Sequence, residues 1–212
     1  MAVSKYHPVE DVVEAYRAGQ RCFAESRPQE FVKKLESIRT AVPDASDMDW
    51  HFIGHLQTNK LKMVLPYVSL VHSVDSLHLL EEINRWGREN GRVVDVLLEL
   101  HIAAEESKQG FSEEEILDLM FRYCDSKTDG PDKFGGVKIR GLMGMATNTE
   151  DADVIDADFD RIDSFMAYLV DLFPELRDFD QLSIGMSGDW RIAVRHGATM
   201  VRIGSSIFGE RQ

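Results

Sequence analysis

The 212-residue sequence predicts an α/β fold, a single (β/α)8 barrel of the TIM type with one domain over 1–212. Eight short apolar or β-branched runs alternate with longer segments of helical spacing, the pattern of parallel strands joined by crossover helices. Eight such units in a chain of this length indicate a barrel with short connecting segments. The alternative, an open doubly wound sheet, normally shows a glycine-rich first turn of the form GxGxxG, which this sequence lacks.

The first half of the chain supplies four strand–helix units. Their strands are predicted at 2–4, 22–24, 50–53 and 69–73, and their helices at 8–19, 28–40, 57–65 and 77–89. Pro8 suits the first turn of a helix, and Val9, Val12, Val13 and Tyr16 share one face of it.

The second half repeats the alternation. Its strands are predicted at 93–102, 137–142, 181–184 and 199–203, its helices at 112–123, 157–173 and 189–196, and a short turn at the end. Ser112 and Glu115 have the spacing of a capping box, which marks the start of the fifth helix. The segment 125–136 is polar and is expected to be a loop.

Composition limits the partners. With 24 Lys and Arg against 37 Asp and Glu, the net charge is −13, so general binding to nucleic acid is not expected. A small phosphorylated ligand held by a local nest of N–H groups is still compatible with that charge. We expect no membrane partner and a cytoplasmic location, because the sequence shows no long apolar run or signal-peptide pattern and has only two cysteines, Cys22 and Cys124.

Lys5 is the lysine best placed for chemistry. In a barrel, functional residues stand at the carboxyl ends of strands, and Lys5 ends the first strand. Lys138 begins a strand and Lys60 lies in an early helical turn. A lysine facing a partly desolvated mouth can form a Schiff base with a carbonyl, whereas the alternative is an ordinary solvated lysine.

Two turns after the seventh and eighth strands suit a phosphate group. Ser187 precedes a helix and could hold a phosphate there, or else it or Asp189 simply caps that helix. After the last strand, Gly204 allows a ligand to approach the backbone and Ser205 can donate a hydrogen bond. Arg202, inside an apolar strand, requires a partner, either a ligand atom or a carboxylate in a salt bridge across the barrel.

No metal site is predicted. His51 and His55 are four residues apart, but a glycine-containing turn separates them and no third ligand is evident. His55 is expected at the mouth as a ligand contact, while His72 and His101 are expected to be satisfied inside the barrel. Met143 and Met145 could line the mouth, although packing inside the barrel is the favoured interpretation.

These residues carry a resemblance that covers nearly the whole chain. The segments concerned are 2–5 with Pro8, 50–60, 182–187 with Asp189, and 201–205 with 207–209. They resemble the YggS/PROSC group of pyridoxal 5′-phosphate homeostasis proteins, whose barrel is similar to the N-terminal domain of alanine racemase. The resemblance implies pyridoxal 5′-phosphate as cofactor, with Lys5 as its Schiff-base lysine, Ser187, Gly204 and Ser205 around the phosphate, and Arg202 facing the pyridine nitrogen.

The sequence departs from the family pattern in two places. After the second strand, Ala24 and Ser26 stand where the family usually has Gly and Asn, so the role of that Asn does not carry over. The family also usually has a helix before the first strand, which is not evident here. Truncation, a misassigned start and natural variation all remain open, and with that helix missing we expect a shortened first strand and a frayed tether for Lys5.

The resemblance implies a binding protein that holds pyridoxal phosphate for intracellular vitamin B6 homeostasis, with enzymes lacking their cofactor as further partners. One alternative is a small fold-type III racemase or related amino-acid enzyme, which needs a second acid opposite Lys5. Tyr6 and His55 are the nearby candidates for that acid. A third hypothesis is a barrel that has lost its cofactor and acts through its surface.

Overall fold

Eight parallel strands form one sheet in which each strand pairs with the next along the chain. The computed structural model describes residues 1–104, 109–125 and 134–210. The strands are β1 (Ala2–Val3), β2 (Cys22–Glu25), β3 (Asp49–Phe52), β4 (Leu70–Val74), β5 (Val94–Glu99), β6 (Val137–Met143), β7 (Gln181–Met186) and β8 (Met200–Arg202). This alternation confirms the α/β prediction.

A helical segment follows every strand. The helices are α1 (Val9–Arg17), α2 (Pro28–Ala41), α3 (Leu61–Val64), α4 (Leu77–Glu89), α5 (Glu113–Cys124), α6 (Ala152–Leu172), α7 (Trp190–Arg195) and α8 (Ser205–Phe208), and a 3-10 turn (Thr58–Lys60) leads into α3. Within the described ranges, no helix is long and apolar enough to cross a bilayer.

The first and last strands meet and close the sheet into a barrel. Ala2 forms a parallel bridge with Ile203, and the Val3 N–H donates to the Ile203 carbonyl over 2.7 Å. The Ile203 N–H in turn donates to the Met1 carbonyl over 3.1 Å. The barrel prediction is therefore confirmed over the doubly wound alternative. Strand β1 is short, as expected, and it is bonded to β2 on one side and to β8 on the other.

The apolar core lies mainly between the barrel wall and the helices. Side chains alternate along each strand, so one set packs outward against the helices and the other points into the barrel. The interior set includes a small apolar cluster of Leu70, Leu97 and Met143. It also includes buried polar side chains, among them His72 and Ser183, which are fully buried. The interior of this barrel is therefore partly polar, and these side chains must find partners inside it.

Two element boundaries differ from the predictions. Helix α6 begins at Ala152, five residues before the predicted 157, because Asp151 caps it by accepting from the Asp153 N–H. Strand β5 ends at Glu99, short of the predicted 102, and beyond it the chain pairs with Phe111, whose N–H donates to the Glu99 carbonyl over 2.8 Å. The capping box at Ser112 is confirmed. Most of the predicted polar loop, 126–133, lies outside the described residues.

A glycine at a bulge in β6 allows the backbone packing of the barrel wall to be tested. The register between β5 and β6 shifts near Gly141, whose φ is +149°. A Cβ atom there would lie 1.9 Å from the Gln181 carbonyl oxygen of β7. We expect Gly141→Ala to lower the free energy of unfolding by more than about 2 kcal/mol, because both the backbone conformation and the contact are unfavourable.

Urea unfolding measures this loss, and Gly135→Ala is the matched control. A Cβ at Gly135 meets no heavy atom within 4 Å, so that variant should stay within about 0.5 kcal/mol of the original chain. Equal stability of the two variants would show that the wall relaxes around Gly141 at no cost.

Candidate functional site

One cavity of about 250 Å³ opens where β1, β7 and β8 end. Its lining includes all five residues predicted as a site, namely Lys5, Ser187, Arg202, Gly204 and Ser205. The remaining lining residues are Val3, His7, Ile53, Met145, Met186 and Gly188. The strand-end rule for barrels thus brings together residues almost 200 positions apart in sequence.

The backbone next to Lys5 is held in an unusual conformation. Tyr6 has a φ of +68°, the left-handed region that residues other than glycine seldom occupy. Its N–H donates to Glu30 Oε1 over 2.7 Å, and its hydroxyl accepts from Arg27 Nη2 over 2.8 Å. The Arg27 guanidinium also lies over the Tyr6 ring, 4.3 Å from the centroid. These contacts from the start of α2 fix the turn that carries the half-buried Lys5.

A buried ion pair lies beneath the end of β1. Lys34 on α2 bonds to the carboxylate of Glu25 on β2 and donates to the Ser4 carbonyl over 2.7 Å. The Ser4 hydroxyl donates to Glu25 Oε1 over 2.6 Å. Burial raises the pKa of Glu25, although the Lys34 charge opposes that shift. The cluster ties the residue just before Lys5 to both β2 and α2.

The turns after β7 and β8 are joined to each other. Ser187 Oγ accepts from the Gly204 N–H over 3.3 Å. Helix α8 begins at Ser205, and its first internal donors are the N–H groups of Ile207 and Phe208, which reach the Gly204 carbonyl. The N–H groups of Ser205 and Ser206 precede these donors and have no partner within the helix. Hydroxyl and N–H donors are therefore concentrated at this side of the cavity.

The simple capping role considered for Ser187 and Asp189 is not seen. Asp189 precedes α7 but makes no side-chain cap bond to it. Its carboxylate instead accepts from the Met186 N–H, back across the turn. Both side chains shape the β7 turn rather than the start of α7.

Arg202 is buried with neutral oxygen partners. Its Nη1 donates to the Ser183 carbonyl and hydroxyl over 2.6 and 2.8 Å, and its Nη2 donates to the Gly144 carbonyl over 2.9 Å. None of the described carboxylates lies within ion-pair distance of Arg202, so among these residues its partners are neutral oxygens and not the salt bridge considered from the sequence. Burial lowers the pKa of Arg202 to about 10, which leaves it cationic at neutral pH.

A line of polar side chains runs through the barrel to Arg202. Asp49 Oδ2 lies 3.1 Å from His51 Nε2, His51 Nδ1 lies 2.9 Å from His72 Nε2, and His72 Nδ1 lies 2.9 Å from Ser183 Oγ. Burial opposes protonation of His51, but hydrogen bonds, chiefly that with Asp49, raise its pKa to about 9. Burial and the His51 charge hold the pKa of His72 well below its ordinary value. Cationic His51 therefore donates to neutral His72, which donates to Ser183.

The structure agrees with some of the remaining histidine and methionine predictions and differs from others. His72 is satisfied inside the barrel as predicted, and His101 bonds to the Ala103 carbonyl over 2.9 Å. His55 is exposed and bonds to Asp75 over 2.9 Å, outside the cavity lining. Met143 is packed in the barrel, whereas Met145 lines the cavity.

Glu99 is a titratable residue near this mouth that the sequence interpretation missed. It ends β5 and is only 6% exposed. Burial, reinforced by the charge of Asp75, raises its pKa to about 7, while Arg202 and His55 oppose the shift. Its position after the apolar run 96–98 in this strand was the signal that could have identified it.

Comparison with known proteins agrees with this geometry. The family model described as "Alanine racemase, N-terminal domain" matches residues 1–212. The chain belongs to this family. Two relatives named "Pyridoxal phosphate homeostasis protein" cover all of the chain. The protein from Vibrio alginolyticus is 35% identical to this chain, and the match spans 85% of its length. The protein from Aquifex aeolicus is 36% identical, and the match spans 86% of its length.

Solved structures share the barrel. The PipY protein of Synechococcus elongatus PCC7942, in a structure described as having PLP bound, matches with a TM-score of 0.85 and 35% identity, over 99% of this chain and 91% of PipY. Alanine racemase from Bartonella henselae matches with a TM-score of 0.69 at 15% identity, over 99% of this chain and 54% of the racemase. The second match shows a common fold alone.

Breaking the buried ion pair of Lys34 and Glu25 beneath β1 should greatly lower the free energy of unfolding. Lys34→Met should lower the free energy of unfolding by about 3 kcal/mol, because it leaves the Glu25 carboxylate buried without its cation. Adding Glu25→Gln should recover part of that loss, because the buried charge is then removed as well. Urea unfolding checks both, with Lys33→Met on the exposed side of α2 as control. Similar losses at Lys34 and Lys33 would contradict the role given to the pair.

The raised pKa of Glu99 predicts a pH-dependent stability. The native state keeps the Glu99 proton up to a pH of about 7, whereas the unfolded chain loses it near the ordinary value of 4.5. Stability from this group is therefore lost as pH rises through that window. Relative to the original chain, Glu99→Gln should gain about 2 kcal/mol between about pH 5 and about pH 8.

Urea unfolding across that pH range provides the measurement. Glu36→Gln, at an exposed position on α2, is the matched control and should run parallel to the original chain. A constant difference between Glu99→Gln and the original chain at every pH would show that Glu99 is already ionised at pH 5.

Proposed function

We propose that this chain binds pyridoxal 5′-phosphate covalently through Lys5 and serves in pyridoxal phosphate homeostasis. The observation that carries the proposal is the single cavity in which Lys5 faces the joined turns of Ser187, Gly204 and Ser205. The relatives of the chain that are named for this role cover its whole length, and PipY has been solved with the cofactor.

The lining residues fit the chemical groups of this cofactor. The hydroxyls of Ser187 and Ser205 and the N–H groups at the start of α8 would hold the phosphate, because they are donors gathered at one end of the cavity. A side chain at Gly204 would begin to crowd the Val3 carbonyl, with Cβ at 3.3 Å. Glycine at this position leaves the backbone accessible to a ligand.

Arg202 and Lys5 complete the assignment. When bound, pyridoxal phosphate supplies an aldehyde that condenses with a lysine amine and a pyridine ring that withdraws electrons. Arg202 keeps a cation in the cavity wall, and a cation facing the ring nitrogen disfavours protonation there. The site then holds the ring as a weak electron acceptor, which suits storage and transfer better than turnover.

The racemase alternative lacks support from the geometry. Tyr6 and His55 are its candidate acids, and neither is among the cavity-lining residues. Hydrogen bonds engage Tyr6 with Arg27 and His55 with Asp75. We therefore favour a protein that holds pyridoxal phosphate in the cytoplasm and passes it to enzymes lacking their cofactor.

Borohydride reduction tests the attachment point. The purified chain is mixed with pyridoxal phosphate, reduced, digested and mapped by mass spectrometry. We expect one cofactor adduct per chain, confined to the peptide that holds Lys5, because reduction converts the bond to a stable secondary amine. Lys5→Ala should abolish that adduct, whereas Lys60→Ala should retain it.

Two results would overturn the assignment. An adduct spread over surface lysines at equal yield in the original chain and Lys5→Ala would remove Lys5 from the site. No adduct at any pyridoxal phosphate concentration, with a folded chain shown by circular dichroism, would instead favour a barrel that acts through its surface.

A further inference from the structure

A second cluster of reactive side chains lies at the opposite mouth of the barrel. Cys22 and Asp49 are the first residues of β2 and β3 and face each other in register. His51 is two residues further along β3, so its side chain projects from the same face as that of Asp49. One ligand atom from each of the three residues lies within 4.8 Å of the other two. None of these three residues lines the cavity that contains Lys5.

Two separations among the three ligand atoms lie within a few tenths of an ångström of the edges of a metal coordination tetrahedron. Cys22 Sγ lies 3.7 Å from His51 Nε2, which lies 3.1 Å from Asp49 Oδ2. Zinc bonds of about 2.3 Å to sulfur and about 2.0–2.2 Å to nitrogen and oxygen give tetrahedral edges of roughly 3.3–3.6 Å. We propose that Cys22, Asp49 and His51 form a site for a divalent transition-metal ion, with zinc as the best fit to this donor set.

The surrounding residues hold the proposed ligands in the orientation a metal requires. The other nitrogen of His51, Nδ1, lies 2.9 Å from the buried His72, which directs Nε2 towards Cys22 and Asp49. A zinc-bound histidine commonly donates its second N–H to such an outer partner. Ser69 Oγ donates to Asp49 Oδ1, which leaves Oδ2 facing the histidine.

The cluster is also open to an incoming ion. The side chain of Asp49 is 46% exposed and Cys22 is half-buried, whereas the side chain of His51 is 8% exposed. An ion can therefore enter past Asp49, bind the imidazole at the inner end, and keep a water molecule in the fourth position. This mixed thiolate, imidazole and carboxylate set selects for zinc-like ions over magnesium or calcium. The prediction that there is no metal site was based on His51 and His55. The sequence does not show the register of β2 with β3, which brings Cys22 next to Asp49.

Cobalt(II) provides the direct test because it reports the ligand type by its absorption spectrum. The chain is freed of metal with a chelator and titrated with Co²⁺. We expect one ion per chain, visible ligand-field bands and a near-ultraviolet thiolate-to-cobalt band. Zn²⁺ added afterwards should remove both, because zinc competes for the same ligands.

Cysteine variants decide whether the bound ion occupies this cluster. Cys22→Ser should remove the thiolate band and weaken zinc binding by more than about 100-fold, the upper end of what outer-shell contacts alone contribute. Cys124→Ser changes the other cysteine, which lies at the end of α5, and should leave both unchanged. No cobalt uptake, or a spectrum and affinity unaffected by Cys22→Ser, would overturn the proposal.

The unaltered chain gives an independent measurement that does not depend on how a variant folds. Iodoacetamide labelling, followed by peptide mass mapping, is carried out with and without Zn²⁺. Zinc should slow alkylation of Cys22 by at least about tenfold and leave Cys124 at its original rate, because a metal-bound thiolate is shielded. Equal rates at Cys22 with and without zinc would contradict the site. All these readouts are made without pyridoxal phosphate, so they succeed or fail separately from the proposed function.

Discussion

The closure of the barrel by a two-residue strand is the constraint on which the rest of the structure depends. β1 contributes only Ala2 and Val3, yet Val3 bonds to Ile203 of β8 and both residues pair with β2. Lys5 and Gly204 follow directly on these two strands, so the pairing that closes the wall also sets their separation. Every hydrogen bond at this seam therefore acts on the geometry of the cavity as well as on the stability of the fold.

The polar line inside the barrel joins its two mouths. A partly polar interior is costly unless each group is paired, and here each member has a partner. Donation runs from His51 through His72 to Ser183, whose hydroxyl also accepts from Arg202. Ser183 thus fixes the guanidinium that lines the Lys5 cavity, and its own position depends on His72. A cation on His51, whether a proton or a bound metal, enforces the same direction of donation along the line.

Residues that follow a recognisable strand could be predicted from the sequence, whereas contacts that depend on the register between strands could not. Lys5, Ser187 and Gly204 could be placed because each follows a recognisable strand, and the ends of parallel strands meet at one mouth. The neutral partners of Arg202 depend on which residues of β6 and β7 lie beside it, and that is set by bulges with no sequence signature here. Cys22 and Asp49 are 27 positions apart and meet only through the pairing of β2 with β3. The α6 start was missed because its acidic first turn resembles a loop.

The arrangement around the cavity favours holding a ligand over transforming it. Proton transfer at a bound substrate requires a second acid or base within hydrogen-bond reach of the reacting atom. Tyr6 is instead strained into a turn that supports Lys5, and its hydroxyl is engaged by Arg27, outside the cavity. Under the proposed assignment, the Arg202 charge would disfavour a protonated pyridine ring and so remove the main electronic advantage that the cofactor offers a racemase. In the proposed function, a cavity with Lys5 as covalent anchor, hydrogen-bond donors at one end and the Arg202 cation, whose lining includes neither Tyr6 nor His55, would retain its ligand chemically unchanged and could return it intact.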